Sequence, residues 1–130
     1  MKNKVFLFIL VVVSCCLMFR TAMIISTKSL INYVYRIMNN EIPLEEVEGT
    51  IYEHFHPIAV YPIDVDKFNC DVNVYKGWIF HDLKKGEINV IYRVRYYDDN
   101  EIFGGSNAPS KWLIEKKDGK WEIVEIIEKP

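Results

Sequence analysis

The three histidines are the residues whose types and spacing come closest to a metal site. His54 and His56 flank a phenylalanine, and His81 stands beside Asp82. Two histidines at positions i and i+2 share a face only on an extended segment, and zinc requires their ring nitrogens to converge. This pair falls at the end of a predicted helix, where the two rings diverge. We therefore expect a histidine that interacts with helix-terminal carbonyls, a solvated His81 at a strand end, and no bound metal or cofactor.

Arg93 and Arg95 form the second group that could recognise a ligand. They alternate with Tyr92 and Tyr96, which places both guanidinium groups on the polar face of a predicted strand. If that face lines a concavity, two neighbouring cations favour an acidic ligand or peptide. If acids such as Glu87 pair with them, they belong to an ordinary sheet surface. Both interpretations stay open. The sequence contains no Gly-x-Ser-x-Gly, Walker, His-Glu-x-x-His or Cys-x-x-Cys motif, so we predict no catalytic residue.

Cys15 is a candidate for covalent attachment of lipid. The run Val12-Val13-Ser14-Cys15 resembles the bacterial lipobox, which is aliphatic, aliphatic, small and then cysteine. The resemblance implies that the thiol is acylated and that Cys15 becomes the new N-terminus after cleavage. The residues that follow stay apolar as far as Phe19, whereas lipoproteins usually turn polar there. The alternative is that Cys15 and Cys16 are small apolar residues inside an uncleaved membrane helix.

Residues 1–25 carry this cysteine and target the chain to a membrane. Lys2 and Lys4 precede an apolar run from Val5 to Phe19, and the candidate span from Val5 to Ile25 has 21 residues, close to the ~20 needed to cross hydrocarbon. The lysines keep the N-terminus in the cytoplasm, and Arg20 can reach the headgroups at the outer end. An ordinary cleaved signal peptide is a third alternative, with Arg20 unfavourable near its cleavage site. The lipoprotein and the anchor both leave residues 26–130 on the extracytoplasmic face of the cell membrane.

Residues 26–130 have the composition of one globular domain. Cys70 is their single cysteine, so an exported domain has no disulfide framework and must fold on its hydrophobic core. The chain has 16 basic and 18 acidic residues, and two of the basic ones, Lys2 and Lys4, precede Cys15, which leaves a net charge of −4 beyond it. Because these charges are interspersed without a basic stripe, we exclude nucleic acid as a partner.

Two amphipathic helices are predicted at the start of the domain. The first covers 26–40, with a cap among Ser26, Thr27 and Ser29 and an end at Asn39-Asn40. Its apolar residues recur with the helical period: Leu30, Ile31, Val34, Ile37 and Met38. The second begins at Pro43, is stopped by Pro57, and buries Leu44, Val47, Ile51 and Phe55. A short strand is expected at Ile58–Tyr61.

Four antiparallel strands are predicted in the second half. In the first, Val72, Val74, Trp78 and Phe80 share one parity, and Gly77 is a candidate bulge. The second alternates regularly from Ile88 to Tyr96. A polar connection, Asp98–Pro109, contains Gly104–Asn107 as a flexible loop. The strands 111–117 and 120–128 are joined by Asp118-Gly119, a signal for a type I′ hairpin. The fold class is therefore α+β, with a membrane-targeting helix and two amphipathic helices packed on a curved antiparallel sheet.

The final hairpin carries a family resemblance. The segment Trp112-Leu-Ile-Glu-Lys-Lys-Asp-Gly-Lys-Trp121-Glu-Ile-Val resembles the last hairpin of the nuclear-transport-factor-2-like superfamily, and the likeness extends in element order over residues 27–128. Cystatin-like sheets wrapped on a helix have the same pattern. The resemblance implies a cone-like domain of a small bacterial lipoprotein or membrane-tethered protein. The superfamily includes isomerases, dehydratases and secretion-complex scaffolds, so no residue role is carried over to this chain.

These observations together favour a membrane-tethered extracytoplasmic binding or assembly module without catalytic activity. A tether raises the effective concentration toward partners on the same membrane, so the expected partners are the membrane itself and a protein at the cell surface. One alternative is a subunit of a secretion or cell-envelope complex. The other is a small pocket enzyme of the isomerase or dehydratase type, which would require a deep cavity holding a buried His, Asp or Tyr.

Overall fold

A computed structural model describes residues 2–60, 69–98 and 101–128 of the chain. The elements are α1 (Lys2–Met38), α2 (Leu44–Val47), a 3₁₀ helix (Ile51–Phe55), α3 (Pro57–Val60) and the strands β1 (Asn69–His81), β2 (Lys85–Asp98), β3 (Glu101–Lys117) and β4 (Lys120–Glu128). The described part of the chain is therefore α+β, as predicted, with one long apolar helix followed by a four-stranded antiparallel sheet.

α1 joins the apolar leader and the predicted first helix of the domain into one element of 37 residues. No proline or glycine interrupts it, and at 1.5 Å per residue it is about 55 Å long. The predicted start near residue 26 is wrong. The hydroxyls of Ser26 and Thr27 do not cap a helix but donate backward to the carbonyl oxygen of Met23. The predicted end is confirmed, because Asn40 adopts a left-handed conformation with φ of 58°.

The predicted second amphipathic helix is broken into separate turns. α2 has only four residues, and Gly49 adopts a φ of 74° directly before a new start, where the Thr50 hydroxyl accepts a hydrogen bond from the backbone N–H of Tyr52. The 3₁₀ helix then ends at Phe55, in front of the proline predicted to stop it. The predicted strand at Ile58–Tyr61 is also wrong as far as residue 60, because Pro57 opens α3 instead; residue 61 lies outside the described part.

The sheet has the strand order β1-β2-β3-β4, so each strand pairs with its neighbour in sequence and β1 and β4 form the two edges. The turn after β1 and the turn after β3 lie at the same end of the sheet, because Lys85 at the start of β2 is opposite Glu115 near the end of β3. The type I′ hairpin is confirmed, since Asp118 and Gly119 have φ values of 49° and 78°.

β3 is longer than predicted. It begins at Glu101 and pairs with β2 through most of the segment expected to be a polar connection. The flexible loop predicted at Gly104–Asn107 is therefore wrong. Gly105 is opposite Arg95, and a Cβ atom there would lie 2.6 Å from the carbonyl oxygen of Val94. Glycine is thus needed for close approach within a strand, and not for flexibility.

The core lies between α1 and one face of the sheet, which we call the inner face. The five apolar residues predicted for the inward stripe of this helix are all buried, and Met23 and Thr27 extend the stripe by about two turns. They pack with inner-face residues of all four strands: Val72, Ile79, Ile88, Val90, Tyr92, Trp112, Ile114, Trp121 and Ile123. Phe55 closes the layer through edge contacts with Tyr92 and Trp112. The opposite face of the sheet, the outer face, carries no helix from the described residues.

Candidate functional site

The structure places the two histidines of the 3₁₀ helix in different surroundings. His54 is exposed, and its Nε2 lies 2.8 Å from Oε1 of Glu128. His56 is fully buried, and its Nε2 lies 3.0 Å from the carbonyl oxygen of Ile42, before α2. Within residues 2–60, 69–98 and 101–128, no three His, Cys, Asp or Glu side chains are grouped closely enough to hold a metal ion.

His81 is buried, and the prediction that it is solvated is wrong. Its ring lies against that of Trp121, with a centroid distance of 4.6 Å and a tilt of 46° between the planes, and Nδ1 donates to the carbonyl oxygen of Asp82. The other ring nitrogen, Nε2, lies 2.8 Å from Oγ of Ser26 in α1. Because α1 packs over this end of the sheet, His81 becomes a polar link between the helix and the end of β1.

Arg93 and Arg95 lie half-buried in β2 and alternate with the inner-face residues Tyr92 and Val94, so they belong to the outer face. Arg93 is opposite Asn73 and Asn107. Arg95 is opposite Asp71, which is the cross-strand arrangement of unlike charges found on ordinary sheet surfaces. The hypothesis that the two cations bind an acidic ligand stays a prediction.

Cys15 and Cys16 lie near the middle of α1, and both side chains are exposed. Every residue from Lys2 to Ala22 is exposed as well, and the first buried residue of the helix is Met23. The helix is long and apolar enough to cross a membrane or to act as a signal sequence. Acylation of Cys15 stays a prediction.

A shallow apolar groove of about 280 Å³ lies on the outer face, across all four strands. Trp78 of β1, Ile91 of β2, Pro109 of β3 and Ile127 of β4 line it. Trp78 is 72% exposed, and Ile91 and Ile127 are each more than 40% exposed. A largely apolar surface of this kind, on a face that α1 contacts through the Arg20 guanidinium over the Trp78 ring, is typical of a site for a protein or lipid partner.

The alternation of side chains along β1 does not predict this groove, because β1 contains a bulge. Lys76 pairs with Val90 and Ile79 with Ile88, so Gly77 and Trp78 together oppose one residue, Asn89. The extra residue reverses the alternation: Ile79 is buried, whereas Trp78 and Phe80 are exposed. The prediction that Trp78 shares a face with Val72 is therefore wrong. The predicted bulge at Gly77 is confirmed, and a Cβ there would lie 3.1 Å from the backbone oxygen of Asn89.

Some of the buried polar groups on the inner face are hydrogen-bonded, whereas Ser110 Oγ and Trp121 Nε1 have no hydrogen-bond partner among the described residues. The indole Nε1 of Trp112, a fully buried residue, donates to the hydroxyl of Tyr92. Burial raises the pKa of Tyr92 to about 12, so its hydroxyl is protonated at neutral pH. Burial also raises the pKa of Tyr52, whose hydroxyl oxygen accepts a hydrogen bond from the backbone N–H of Ile123.

Comparisons with protein-family models, with curated proteins and with solved structures found no match for this chain. The resemblance of its last hairpin to the nuclear-transport-factor-2-like superfamily therefore stays a prediction, and the function must be argued from the residues described above.

Proposed function

We propose that this chain is a membrane-tethered module of the extracytoplasmic face that binds or assembles partners without catalysis. One observation carries the proposal. The helix that provides a third of the buried apolar residues of the core is the same uninterrupted helix whose first 21 described residues are exposed and largely apolar. A domain whose core helix is also its membrane segment stays at the membrane surface. Its effective concentration toward partners on that membrane is therefore high, which favours binding and assembly.

The outer-face groove supports a binding role. Its apolar residues come from all four strands, and it lies on the face opposite to the core, where α1 reaches only Trp78 through Arg20 and the groove residues stay exposed. Large apolar side chains surrounded by polar residues, like those of this groove, contribute most of the binding energy in protein interfaces. A protein partner on the same membrane, such as another component of a secretion or cell-envelope complex, would fit this surface.

The state of the buried polar groups supports a non-catalytic role. Tyr92 has the pKa farthest from its usual value among the described residues, but its shift keeps the hydroxyl protonated and bonded to Trp112. Such a group is not a base at neutral pH. His56 is committed to the carbonyl of Ile42, and His81 to the carbonyl of Asp82. The space between helix and sheet is occupied by large side chains such as Trp112 and Ile37.

Two modes of tethering remain open, and Cys15 distinguishes them. If the thiol is acylated, Cys15→Ala leaves an unprocessed precursor that is longer by the leader. If α1 is an uncleaved anchor, the mutant differs in mass from the wild type only by the sulfur atom lost in the substitution. Intact-mass spectrometry of the membrane fraction measures the difference, and Cys16→Ala is the matched control, because it changes the neighbouring exposed thiol and is expected to leave processing unaltered.

Labelling from outside the cell tests the side of the membrane. A cysteine at exposed Lys120, at the β3–β4 turn, is expected to react with a membrane-impermeant maleimide in intact cells. A cysteine at Lys4 is the control, expected not to react until the cells are opened. Extraction of the chain by alkaline carbonate, or labelling at Lys120 only after lysis, would contradict the proposal.

Photo-crosslinking tests the binding role. A photoreactive residue at Ile91 or Ile127 in the groove is expected to give one discrete crosslinked product in native membranes. The same residue at Glu46, exposed on α2 and away from the outer face, is expected to give none. Equal products from Glu46 and Ile91, or none from either groove position, would refute a specific partner on the outer face.

A further inference from the structure

We propose that the end of β1 and the turn after it rest in the headgroup layer of the bilayer, where Trp78, Phe80 and Leu83 insert as a second membrane contact. We call these three residues the sheet tip. The inference rests on the proposed membrane tether and goes beyond it, because a helical tether alone leaves the sheet clear of the lipid.

The sheet tip has the composition of a membrane-interface contact. Its three side chains are exposed by 72%, 65% and 83%, and they occur within six residues of one another. Isolated apolar residues on a surface need no explanation, but a cluster of large ones marks an interaction site. Tryptophan in particular is enriched at the boundary between hydrocarbon and water, because its ring is apolar and its N–H is polar.

Contacts with α1 set the height of this cluster relative to the membrane. The Arg20 guanidinium carbon lies 5.2 Å from the centroid of the Trp78 ring. Three residues farther along β1, the backbone nitrogen of His81 lies 3.5 Å from Sδ of Met23, and its ring reaches Ser26. The end of β1 therefore runs beside residues 20–26 of the helix, which include the end of the apolar run.

In both modes of tethering, the part of α1 that contacts the end of β1 lies at the level of the lipid headgroups. In an anchor that spans 5–25, Arg20 lies five residues, or about 8 Å, before the outer end, which an arginine side chain can bridge. In a lipoprotein, Arg20 lies the same distance, about 8 Å, beyond acylated Cys15. A ring stacked on Arg20 would then lie at the membrane boundary in each case.

The charges around the sheet tip favour anionic lipid. Arg20, Lys76 and Lys84 are exposed beside it. Three acids also lie near it, and each has a partner. The carboxylate of Asp82 keeps its negative charge and accepts hydrogen bonds from the backbone N–H groups of Lys84 and Lys85. Glu115 pairs with the Lys85 ammonium at 3.1 Å, and Glu87, opposite Phe80, lies 3.5 Å from the Lys111 ammonium. Three cations next to an apolar cluster match a surface of phosphate headgroups over hydrocarbon.

Quenching of tryptophan fluorescence by brominated lipid tests the contact in the full-length chain. The chain is reconstituted in vesicles of zwitterionic lipid with or without one third anionic lipid, each with bromine on the upper part of the acyl chains. We expect emission to fall relative to unbrominated vesicles, and to fall further with anionic lipid. The loss should disappear in Trp78→Phe, because Trp112 and Trp121 are buried in the domain.

Two variants in the Trp78→Phe background serve as matched controls. Phe80→Trp places a reporter in the sheet tip and is expected to restore quenching. Ile127→Trp places one at the far part of β4, seven residues or roughly 23 Å from the β3–β4 turn, and is expected to remain unquenched. Flotation of the vesicles is measured in parallel. A chain that floats but shows no quenching dependent on Trp78 or Phe80 overturns the sheet-tip contact alone, whereas a chain that does not float overturns the tether as well.

Discussion

The hydrogen bond between Trp112 and Tyr92 predicts a specific loss of stability at high pH. Both residues are buried on the inner face, and the indole N–H donates to the phenol oxygen. Loss of the phenol proton would place a negative charge in the core. The perturbation is therefore a rise in pH from 9 to 12, compared between the wild type and Tyr92→Phe, which has no proton to lose.

The size of the effect follows from the raised pKa. Tyr92 has a folded pKa of about 12 against 10.0 for the free side chain. Because the folded chain holds this proton more tightly than the unfolded chain, the contribution is fully present below pH 10 and is lost as the pH rises through 12. One pKa unit is about 1.4 kcal/mol, so the free energy of unfolding should fall by about 1.4 kcal/mol at pH 11 and by up to about 2.7 kcal/mol above pH 12.

Urea unfolding of the full-length chain in detergent micelles, followed by tryptophan fluorescence at several pH values, measures this loss. At pH 8, Tyr92→Phe should be less stable by about 1–3 kcal/mol, because the buried N–H of Trp112 loses its acceptor. Between pH 10 and 12 the difference between the two proteins should shrink. Tyr52 also has a pKa raised by burial, so Tyr52→Phe is the control for a second titrating phenol. Parallel pH curves for wild type and Tyr92→Phe would refute the assignment of the shift to Tyr92.

Two further predictions concern packing. Ile37→Ala removes a fully buried side chain of α1 and should lower the free energy of unfolding by about 2–5 kcal/mol, whereas Ile24→Ala, 39% exposed on the same helix, should change it little; chemical unfolding in micelles measures both. Gly86→Ala should prevent correct pairing of β1 and β2, because its Cβ would lie 2.5 Å from the carbonyl oxygen of Phe80, and normal hydrogen-exchange protection of both strands in that variant would contradict this.

The sequence pattern predicted the elements whose signals are local and regular. The buried stripe of α1 follows from a 3.6-residue period, and the last hairpin follows from Asp118-Gly119. The alternation in β2 similarly assigned Tyr92 inward and Arg93 outward, as the structure has them. In each case one physical preference acts alone, either the helical period, the pleat or the requirement for positive φ.

Other predictions failed where a distant part of the chain decides the outcome. Ser26 has the residue type of a helix cap, but the apolar segment before it continues the helix and the hydroxyl bonds backward. The segment around Gly105 has the composition of a loop, but its pairing with β2 makes it a strand. For the candidate site, Gly77 correctly indicates a bulge in β1, but only the register with β2 shows that the bulge reverses the alternation and places Trp78 on the outer face.

The continuity of α1 also has a mechanical consequence. The residues from Met23 to Met38 are fixed in the core, and no proline or glycine separates them from the exposed residues before them, so the chain has no flexible joint between the two parts. Membrane helices tilt when the bilayer becomes thinner than their apolar length. If α1 is an uncleaved anchor, a tilt of its first half would therefore swing the whole sheet by the same angle, and the orientation of the outer face would change with the thickness of the surrounding lipid.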